Sequence, residues 1–469
     1  MNYLFLESEC GVVSGTMSEE QLVKALSAGY GTDSAQFING RAMIPEDIEI
    51  TMINAMREQK EDLKLMNLIK KRPVRSTVHE YNRRYDVGDH EHVTAGEGEG
   101  SPNTSQSIQR VTVPIKYLQT RRAVTDQMEV VDSFENAFES EKLAGTLTIL
   151  RAAEYLCFHG DSDVVPTEWD GLPKLITKLP KDQRNVADYR GKTITSVGER
   201  IVTDMMHDIA DAGGEANYLY FPLILTMELQ ELVDKRVRFG VTDERARPVI
   251  NYWPTPYGSL KIGEDAGMDK LYKVKGKVRE SGDPNMRPNA PTSVVPTVAA
   301  ATPVDGESRF YAADGGNYIY EVHAINQYGT SPGTPLGAAV PVTAGDAVKL
   351  TITADSSKPG TGFIITRSNK DGTEVMEVTR IGRGEGATTV FTDLNEDLPG
   401  TASMLFLTER KLQTIVEFFQ LMPLRMRPLF ESNRAEKPFF IQLFGAPDLK
   451  VPRWCGLAKN IAYQGGFNY

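Results

Sequence analysis

The first clear hydrophobic periodicity is helical and lies between residues 45 and 73. Pro45 stands at a first-turn position and is followed by two acidic residues, which suit the positive end of a helix dipole. Apolar residues then recur at helical spacing, at Ile48, Met52, Ala55, Met56, Leu63, Met66 and Ile69. We predict a helix that ends near residues 70–72, with Pro73 as its stop.

Alternation replaces this periodicity after residue 74. A half-buried strand is predicted by apolar residues that alternate with polar ones, at Val111, Val113, Ile115 and Tyr117. Pro114 makes this an edge strand or an unpaired one. Because residues 88–106 are rich in Gly, Ser, Glu and Thr, we predict that residues 74–124 form two extended arms with a flexible acidic tip. Such a hairpin cannot bury itself and must rest on another domain or another chain.

Helical patterns return in the middle of the chain. A long helix over residues 132–160 is predicted by a cap at Asp132 and Ser133 and by apolar residues that follow at helical spacing. At 1.5 Å per residue it would be about 40 Å long. A second helix is predicted from a capping box at Ser196 and Glu199 to a stop at Gly213, with an apolar face at Ile201, Met205 and Ile209. A buried strand over 218–225 and a short helix over 228–236 follow.

The composition changes at Gly282. Prolines cluster there, and as far as about residue 399 short alternating runs are separated by Gly, Pro, Asn and Asp. The runs cover residues 318–324, 348–352 and 363–367, and a turn is predicted at 369–372. We predict a β-sandwich of about 100 residues here. A helix over 408–419 and strands over 439–444 and 449–461 resume after it, so the fold class is α+β with an inserted all-β unit.

Composition limits the classes of protein that this chain can be. Its 469 residues allow about three domain-sized units, and 40% hydrophobic with 25% charged residues is ordinary for a globular protein. The net charge of -11 argues against general attraction to nucleic acid or anionic membranes. Three widely spaced cysteines exclude a disulfide framework. We expect no signal peptide and no membrane span, and therefore a soluble protein made in a reducing compartment.

The residue types that carry catalysis form no recognisable constellation. His90 and His92 lack a third metal ligand at a known spacing, and the glycines of residues 96–100 alternate with glutamates that would repel phosphate. Lys192 follows a glycine but lacks the earlier glycine of a phosphate loop. Cys157 is expected to pack rather than to react. We predict no catalytic residue, no metal and no cofactor, and we expect that the protein is not an enzyme.

The arms of the predicted hairpin are basic. Residues 74–87 carry a net charge of +1 and residues 107–124 carry +4. A nucleic-acid strip is one interpretation, but aromatic residues are sparse and the tip is acidic. Contact with an acidic protein surface, such as the start of helix 132–160, matches better, and ordinary solvated charge is the third alternative. The predicted contact residues between subunits are Arg83, Arg84, Arg110, Lys116, Arg121, Arg122, Asp132, Glu135, Glu139 and Glu141.

Several local strings lie along this succession of elements. They are Val113-Pro114-Ile115-Lys116 leading to Thr125-Asp126-Gln127, then Phe158-His159-Gly160-Asp161, Asn217-Tyr218-Leu219-Tyr220-Phe221-Pro222 and the closing residues 439–461. Together with the N-terminal arm, the two-armed loop and the acidic-start helix, they resemble the major capsid protein of tailed bacteriophages, which has the Hong Kong 97 type fold. The resemblance covers most of the chain outside residues 283–404.

The resemblance implies a phage capsid fold with an inserted β-sandwich. The expected units are an N-terminal arm with a helix (1–73), an extended loop (74–126), a peripheral domain with the spine helix (127–190), an axial domain (191–282 and 405–438), the insert (283–404) and a return to the peripheral strands (439–469). Within the insert, Tyr320-x-Val322-x-Ala324-x-Asn326 followed by Gly329-Thr330-Ser331-Pro332 resembles the penultimate strand and turn of fibronectin type III or related immunoglobulin-like domains. Residues 291–404 lack the usual core tryptophan of such domains.

The function that the resemblance implies is assembly. The chain would form hexamers and pentamers of an icosahedral shell around packaged double-stranded DNA, through interlocking extended loops and N-terminal arms. Scaffolding, portal and decoration proteins are the other expected partners, without sequence-specific DNA contact and without a membrane partner. The expected location is the virion capsid, assembled in the host cytoplasm. The alternatives are a phage tail or baseplate protein and a carbohydrate-active enzyme with a fibronectin-like module.

Overall fold

Helices are interspersed among strands along the described part of the chain. The computed structural model describes residues 63–86, 94, 97–98, 105–130, 136–234, 252–268, 294–301, 308–354, 360–409, 414–430, 435–463 and 466–467. Its α-helices are α1 (Lys64–Leu68), α2 (Asp126–Val130), α3 (Ala137–His159), α4 (Leu172–Thr177), α5 (Ile194–Val197), α6 (Arg200–Asp211) and α7 (Thr226–Asp234). The predicted start of the first helix, at residues 45–62, lies outside the described residues.

Strands are the commonest regular element of the described fold. They are β1 (Lys70–Pro73), β2 (Val78–Asp86), β3 (Ser107–Pro114), β4 (Lys116–Thr125), β5 (Asn185–Thr193), β6 (Tyr218–Phe221), β7 (Tyr252–Thr255), β8 (Gly258–Glu264), β9 (Val294–Ala301), β10 (Gly316–Tyr318), β11 (Tyr320–Asn326), β12 (Gly329–Thr330), β13 (Thr334–Pro335), β14 (Val340–Val342), β15 (Ala347–Ala354), β16 (Gly362–Ser368), β17 (Val375–Gly382), β18 (Thr388–Asp393), β19 (Ala402–Leu407), β20 (Val416–Pro428), β21 (Glu436–Leu449) and β22 (Gly456–Ala462). This mixture of helices and strands confirms the predicted α+β class.

Helix α3 is the longest helix among the described residues, and its 23 residues span about 35 Å. Asn136 caps its start, because the Asn136 side chain accepts hydrogen bonds from the backbone N–H groups of Phe138 (3.0 Å) and Glu139 (3.4 Å). The predicted cap at residues 132 and 133 is therefore wrong, since the group that satisfies the first N–H donors comes later in the chain. The helix ends at Gly160, where a Cβ atom would lie 2.4 Å from the carbonyl oxygen of Trp169.

A four-stranded sheet packs against α3. Its order is β1-β20-β21-β4, with β1 parallel to β20 and the other pairs antiparallel. Helix and sheet bury one large hydrophobic cluster, which includes Ile149, Ala153, Phe418, Phe419, Phe439, Ile441 and Leu443. Gly145 lets α3 approach the sheet closely, because a Cβ atom there would lie 2.6 Å from Cδ1 of Ile441.

Two predicted helical stretches are strands of this sheet. Residues 70–73, predicted as a helix end, form β1, in which Lys71 pairs with Phe418. Residues 416–419, predicted as part of a helix, begin β20. All four of these residues are buried, so the strand is covered on both faces and shows no alternation. A short run of buried, mostly apolar residues does not distinguish a buried strand from a helix, which explains the error.

A six-stranded sheet packs against α6. Its order is β5-β22-β19-β6-β8-β7, in which β5 lies parallel to β22 and β6 lies parallel to β8. The predicted apolar face of α6 is confirmed, since Ile201, Met205 and Ile209 are buried in the cluster that this sheet covers. The predicted stop is also confirmed, because Gly213 follows the helix with a φ of 88°, a conformation that favours glycine.

The region before α6 differs from the predicted capping box. A short helix, α5, comes first, and the Thr193 side chain caps it by accepting a hydrogen bond from the Ser196 N–H at 3.3 Å. Glu199 precedes α6 without a side-chain cap hydrogen bond. The strand predicted over 218–225 ends at Phe221, because Pro222 has no N–H with which to continue a ladder. The short helix predicted after it is α7.

Residues 294–393 are all-β in their described part, and we call them the β insert. Their strands form antiparallel sheets of order β12-β11-β16-β17 (with β13 also on β11), β18-β15-β9 and β10-β14. These sheets cover their own hydrophobic cluster, which includes Phe310, Tyr318, Tyr320, Val322, Leu350, Ile352 and Phe363. The predicted alternation at 348–352 and the predicted turn at 369–372, which joins β16 to β17, are both confirmed.

Strand pairing groups the segments differently from the predicted units. The prediction placed 405–438 with 191–282, and 439–469 with the long helix. In the structure β20 pairs with β21 beside α3, while β22 lies between β5 and β19 in the six-stranded sheet. The difference arises because long-range pairing, rather than proximity in sequence, decides which sheet a strand joins. No helix in the described part of the chain has the length and apolar character to cross a membrane.

Candidate functional site

An exposed two-stranded element, which we define as the hairpin, is formed by β2 and β3. Its strands are antiparallel, with Val78 opposite Pro114 at the base and Asp86 opposite Ser107 at the far end. Residues 105–110 are exposed, and even the apolar side chain of Ile108 is 53% exposed. A lone two-stranded hairpin is at best marginally stable in water. The hairpin therefore presents backbone edges and apolar surface that a partner could cover.

The base of the hairpin is fixed to the rest of the chain. Val113 is buried in the large cluster, and the ring of His79 lies 4.2 Å from that of Phe419 between centroids. Nη2 of Arg83 donates hydrogen bonds to the Leu449 carbonyl oxygen and to the Tyr81 hydroxyl, both at 2.8 Å. These contacts set the direction in which the hairpin leaves the four-stranded sheet.

Burial shifts the pKa values of three ionisable groups near the base of the hairpin. Burial lowers the pKa of His79, and the positive charge of Arg72 lowers it further, so His79 is neutral at pH 7. Burial raises the pKa of Asp448, while the hydrogen bond from Tyr81 and the charge of Arg83 oppose that rise. Burial and the neighbouring Asp448 raise the pKa of Tyr81, which stays protonated as a donor.

Three of the predicted contact residues lie on the hairpin itself. Arg83 is half-buried and donates to the Leu449 carbonyl oxygen and to the Tyr81 hydroxyl, as described above. Arg84 is exposed near the far end. Arg110 is exposed and lies 3.5 Å from Glu80 on the opposite strand. Pairs as exposed as this one contribute little to stability, so both side chains are available to a partner.

Lys116, Arg121 and Arg122 are directed at their own chain, on β4. The Lys116 ammonium donates to the carbonyl oxygen of Pro166. Arg121 forms an ion pair with Glu436 at 2.7 Å. These interactions occupy side chains that sequence reasoning had assigned to a neighbour.

Arg122 meets the acidic start of α3 within one chain. Its guanidinium lies 3.3 Å from Glu141 and donates to the Thr148 hydroxyl at 3.1 Å. Glu139, two residues earlier, lies 3.3 Å from Lys142 and remains largely exposed. Asp132 and Glu135, the other predicted acidic residues, lie outside the described residues. The structure thus brings together one predicted basic and one predicted acidic residue, in the same subunit.

A cationic groove of about 1050 Å³ runs beside the hairpin, between β2 and residues 450–454. The basic residues that line it are Arg72, Arg83, Arg84, Lys450 and Arg453, and no carboxylate is among its described lining residues. Lys450 and Arg72 share one buried carboxylate, Glu417, at 2.8 and 3.6 Å. Sequence reasoning missed three of these five residues, because they come from β1 and from the turn after β21. The basic run at residues 70–72 was the available signal, but it was interpreted as a helix end.

Chemistry typical of catalysis or metal binding was not found within the described ranges. They contain no group of three or more His, Cys, Asp or Glu residues arranged to hold a metal ion. Cys157 and Cys455 are buried free thiols, and burial raises the pKa of both. His90 and His92 lie outside the described residues.

One acidic cluster does hold a cation, but that cation is a side chain. Asp161, Asp163 and Asp170 surround the Lys174 ammonium, at 2.7 Å from Asp163 and 3.1 Å from Asp170. Burial opposes ionisation of Asp170, but hydrogen bonds from Ser162 and the charge of Lys174 lower its pKa to about 2. The cluster therefore ties the loop after α3 to α4.

Comparison with known proteins identifies the family of this chain. The chain is 26% identical over 459 residues to the major capsid protein of Staphylococcus phage S25-3, a match that covers 95% of this chain and 96% of that protein. It is 24% identical over 468 residues to the putative major capsid protein of Enterococcus phage phiEF24C, which covers 96% of each. Both matches cover nearly the whole of this chain.

The family model of the SU10 major capsid protein matches residues 33–274, more than half of the chain. The chain therefore belongs to the SU10 major capsid protein family, and the predicted resemblance to tailed-phage capsid proteins is confirmed. It is a structural protein of a phage shell. Similar solved structures include the capsid of a native GTA particle (TM-score 0.47, 10% identity, 92% of this chain and 100% of that chain). Another is from Mycobacterium phage Adephagia (TM-score 0.43, 9% identity, 91% and 98%).

Proposed function

We propose that this chain assembles with copies of itself, as hexamers and pentamers, into the icosahedral shell that encloses the packaged double-stranded DNA of a tailed phage. The single observation that carries the proposal is the match of the SU10 major capsid protein model to residues 33–274. The exposed hairpin supports it, because a subunit that leaves such an element uncovered gains stability when a neighbour covers it. Assembly would take place in the host cytoplasm, and the mature location would be the virion.

The two main sheets are proposed to be the two domains of the shell subunit. The four-stranded sheet with α3 would form the peripheral domain, and the six-stranded sheet with α6 would form the axial domain around local symmetry axes. These bounds follow the observed pairing, so β20 joins the peripheral domain and both β5 and β22 join the axial one. The β insert is proposed to be an immunoglobulin-like or fibronectin-like module.

The hairpin is proposed to lie across a neighbouring subunit, with the N-terminal arm as a second interlocking element. Arg84 and Arg110 are the basic residues best placed for this contact, because among the described residues neither side chain is engaged with the body of its own chain. The acidic start of a neighbour's α3, where Glu139 is exposed, is the proposed acceptor surface. Each such contact is weak, at about 0.2–1 kcal/mol, but many copies in a closed shell add by avidity.

The remaining partners are proposed from the same family membership. Scaffolding, portal and decoration proteins would contact the shell, and DNA would be enclosed without sequence-specific contacts. The net charge of -11 supports that view, because an acidic shell does not hold the packaged DNA tightly. No enzymatic step, metal or cofactor forms part of the proposal.

The test is a charge reversal on the hairpin, Arg84→Glu with Arg110→Glu. The matched control is Arg383→Glu with Lys349→Glu, which changes the net charge equally at exposed positions on the β insert. Sedimentation and negative-stain microscopy measure shell yield, and circular dichroism measures folding. We expect the hairpin variant to stay folded but to give few shells, while the control assembles normally. Normal shells from the hairpin variant would remove the hairpin charges from the assembly mechanism.

A further inference from the structure

The β insert is attached to the six-stranded sheet by a dense polar junction. Arg309 of the insert lies 2.7 Å from Asp188 of β5, and Asn460 of β22 donates to the same carboxylate at 2.7 Å. Arg190 donates to the Arg309 carbonyl oxygen at 2.7 Å, and its guanidinium lies 4.4 Å from the ring centre of Tyr311. This side of the insert is therefore held by charge, by hydrogen bonds and by a cation–π contact.

Backbone strain is concentrated at the same junction. Four non-glycine residues in the described part of the chain have a positive φ, and three of them lie here: Arg190 (46°), Asn395 (59°) and Asn460 (60°). The Asn460 side chain accepts a hydrogen bond from the Leu398 N–H at 2.9 Å and donates to the Glu396 carbonyl oxygen at 2.8 Å. Such conformations persist only where the surrounding contacts determine them, so the path of the chain out of the insert is tightly specified.

A second attachment joins the β insert to the long helix. Nη2 of Arg380 on β17 donates to the Tyr155 hydroxyl of α3 at 3.0 Å, and Glu377 holds the same guanidinium at 2.8 Å. The backbones of β16 and β17 also pack closely against the loop after α3. A Cβ atom at Gly382 would lie 2.3 Å from the Asp163 carbonyl oxygen, and one at Gly362 would lie 2.6 Å from Cγ1 of Val164.

The two attachments lie on different halves of the main fold. Asp188 and Asn460 belong to the six-stranded sheet, whereas Tyr155 belongs to the helix that packs on the four-stranded sheet. Those halves also meet directly in one shared hydrophobic cluster, where Phe158 of α3 lies near Tyr220 of β6 with ring centres 6.2 Å apart. The β insert adds a connection away from that cluster, and a further connection at a distance restrains rotation of one half against the other.

We propose that the β insert is a brace, which holds the six-stranded sheet and the long helix at a fixed relative orientation within one subunit. This role differs from that of a module tethered outside the main fold, because it needs both attachments at once. It is independent of shell formation and concerns the shape of the single subunit. The chemistry is that of intramolecular docking, and no external ligand is required.

The experiment measures a distance across the two halves in the purified full-length subunit. Spin labels are attached at Leu143→Cys on α3 and Tyr252→Cys on β7, both exposed positions, with Cys10→Ser to remove the cysteine outside the described residues. Cys157 and Cys455 are buried and stay unlabelled. Double electron–electron resonance gives the distribution of distances between the labels.

Both attachments are weakened by Arg309→Ala with Arg380→Ala, which removes the ion pair with Asp188 and the hydrogen bond to Tyr155. Arg383→Ala is the control for loss of an arginine on the β insert, because Arg383 directly follows β17, is exposed, and its side chain belongs to neither attachment. Tyr155→Phe is a milder variant that removes one attachment bond without changing the insert. We expect a narrow distribution in the parent and in the control, a broad and shifted one in the double variant, and intermediate broadening in Tyr155→Phe.

An unchanged distribution in the double variant, with hydrogen exchange showing loss of protection at residues 188–190, would overturn the brace. If the double variant fails to fold, Tyr155→Phe decides the question by the same measurement. A distribution in Tyr155→Phe identical to that of the control would then contradict the proposal. Because the assay uses unassembled subunits, its outcome does not depend on whether the hairpin mediates assembly.

Discussion

A buried pair of carboxyl groups should make the subunit less stable as the pH rises. Glu154 of α3 and Asp265, which follows β8, are 1% and 0% exposed and are hydrogen-bonded to each other. Glu154 also accepts hydrogen bonds from the N–H groups of Leu65 (2.7 Å) and Met66 (2.8 Å). The pair therefore joins α1, α3 and the end of the six-stranded sheet.

The charge state of this pair follows from its burial. Burial, the hydrogen bond that protonated Glu154 donates to Asp265 and the charge of Asp265 together raise the pKa of Glu154 to about 9. Burial also raises the pKa of Asp265. Two carboxylates in contact away from water cannot both be ionised cheaply, so the folded protein retains a proton between them near neutral pH.

The sign of the pH effect comes from comparing proton binding in the two states. Unfolded, both groups release their protons at ordinary carboxyl values, whereas the folded pair holds one proton until the pH approaches about 9. The folded state thus binds more protons, and its stability falls with rising pH by as much as about 1.4 kcal/mol per pH unit. The stabilisation that the shared proton gives is fully present below the pKa values of the unfolded chain. It is lost as the pH rises through the folded-state pKa of Glu154.

The perturbation is Asp265→Asn. The amide keeps the shape of the side chain, its oxygen can still accept the Gly267 N–H that Asp265 accepts at 2.7 Å, and its NH₂ group can donate to Glu154. The substitution removes the Asp265 charge, which contributes to the raised pKa of Glu154, while burial, the largest cause, remains. Between about pH 6 and pH 8 the parent should lose as much as about 3 kcal/mol relative to the variant.

The assay is urea unfolding of the unassembled subunit at a series of pH values, followed by tryptophan fluorescence. Asp211→Asn, an exposed carboxylate at the end of α6, is the matched control and should follow the parent. We expect the midpoint of Asp265→Asn to change least with pH. Parallel pH profiles for the parent, Asp265→Asn and the control would refute the shared proton.

Two further predictions concern the stability of the subunit. Gly160→Ala should lower the melting temperature, because the new Cβ would lie 2.4 Å from the Trp169 carbonyl oxygen and 2.5 Å from the Leu156 carbonyl oxygen. Such overpacking costs about 1–3 kcal/mol. An unchanged melting temperature in calorimetry would contradict the close packing at this position. Reversal of Arg121 and Arg122 to Glu should destabilise the subunit before any assembly, by about 0.2–1 kcal/mol for each lost pair. Urea unfolding measures that loss, and a double variant as stable as the parent would show that these pairs contribute nothing.

The elements that sequence reasoning predicted well are those with one covered face. The alternation at Val348, Leu350 and Ile352 is typical of a strand with one side in the core, and the structure has β15 there. The apolar face of α6 was recognised for the same reason. A pattern with a period can be seen only where solvent reaches the other face.

Elements buried on both faces, and caps, were predicted less well. Residues 416–419 in β20 are buried on both sides of the strand. Their mostly apolar run therefore shows no alternation by which a strand could be recognised. The cap of α3 is Asn136 rather than Asp132, because several residues before a helix are able to cap it and only the three-dimensional path selects one.

The sequence predicted the positive charge of the candidate site but not the residues that its basic side chains contact. Sequence showed that the arms are basic, yet Arg122 meets Glu141 in its own chain and Arg121 meets Glu436. The cationic groove brings Arg72 and Lys450 together from positions far apart in sequence. Such convergence depends on the pairing of β1 with β20 and of β20 with β21, which no local pattern specifies.

The central claim, that this chain builds a closed shell, is tested most directly by sedimentation and negative-stain microscopy of the full-length protein from its native source at moderate ionic strength. The account predicts closed shells tens of nanometres across, composed mainly of this chain. A monodisperse monomer or dimer from native material would contradict it.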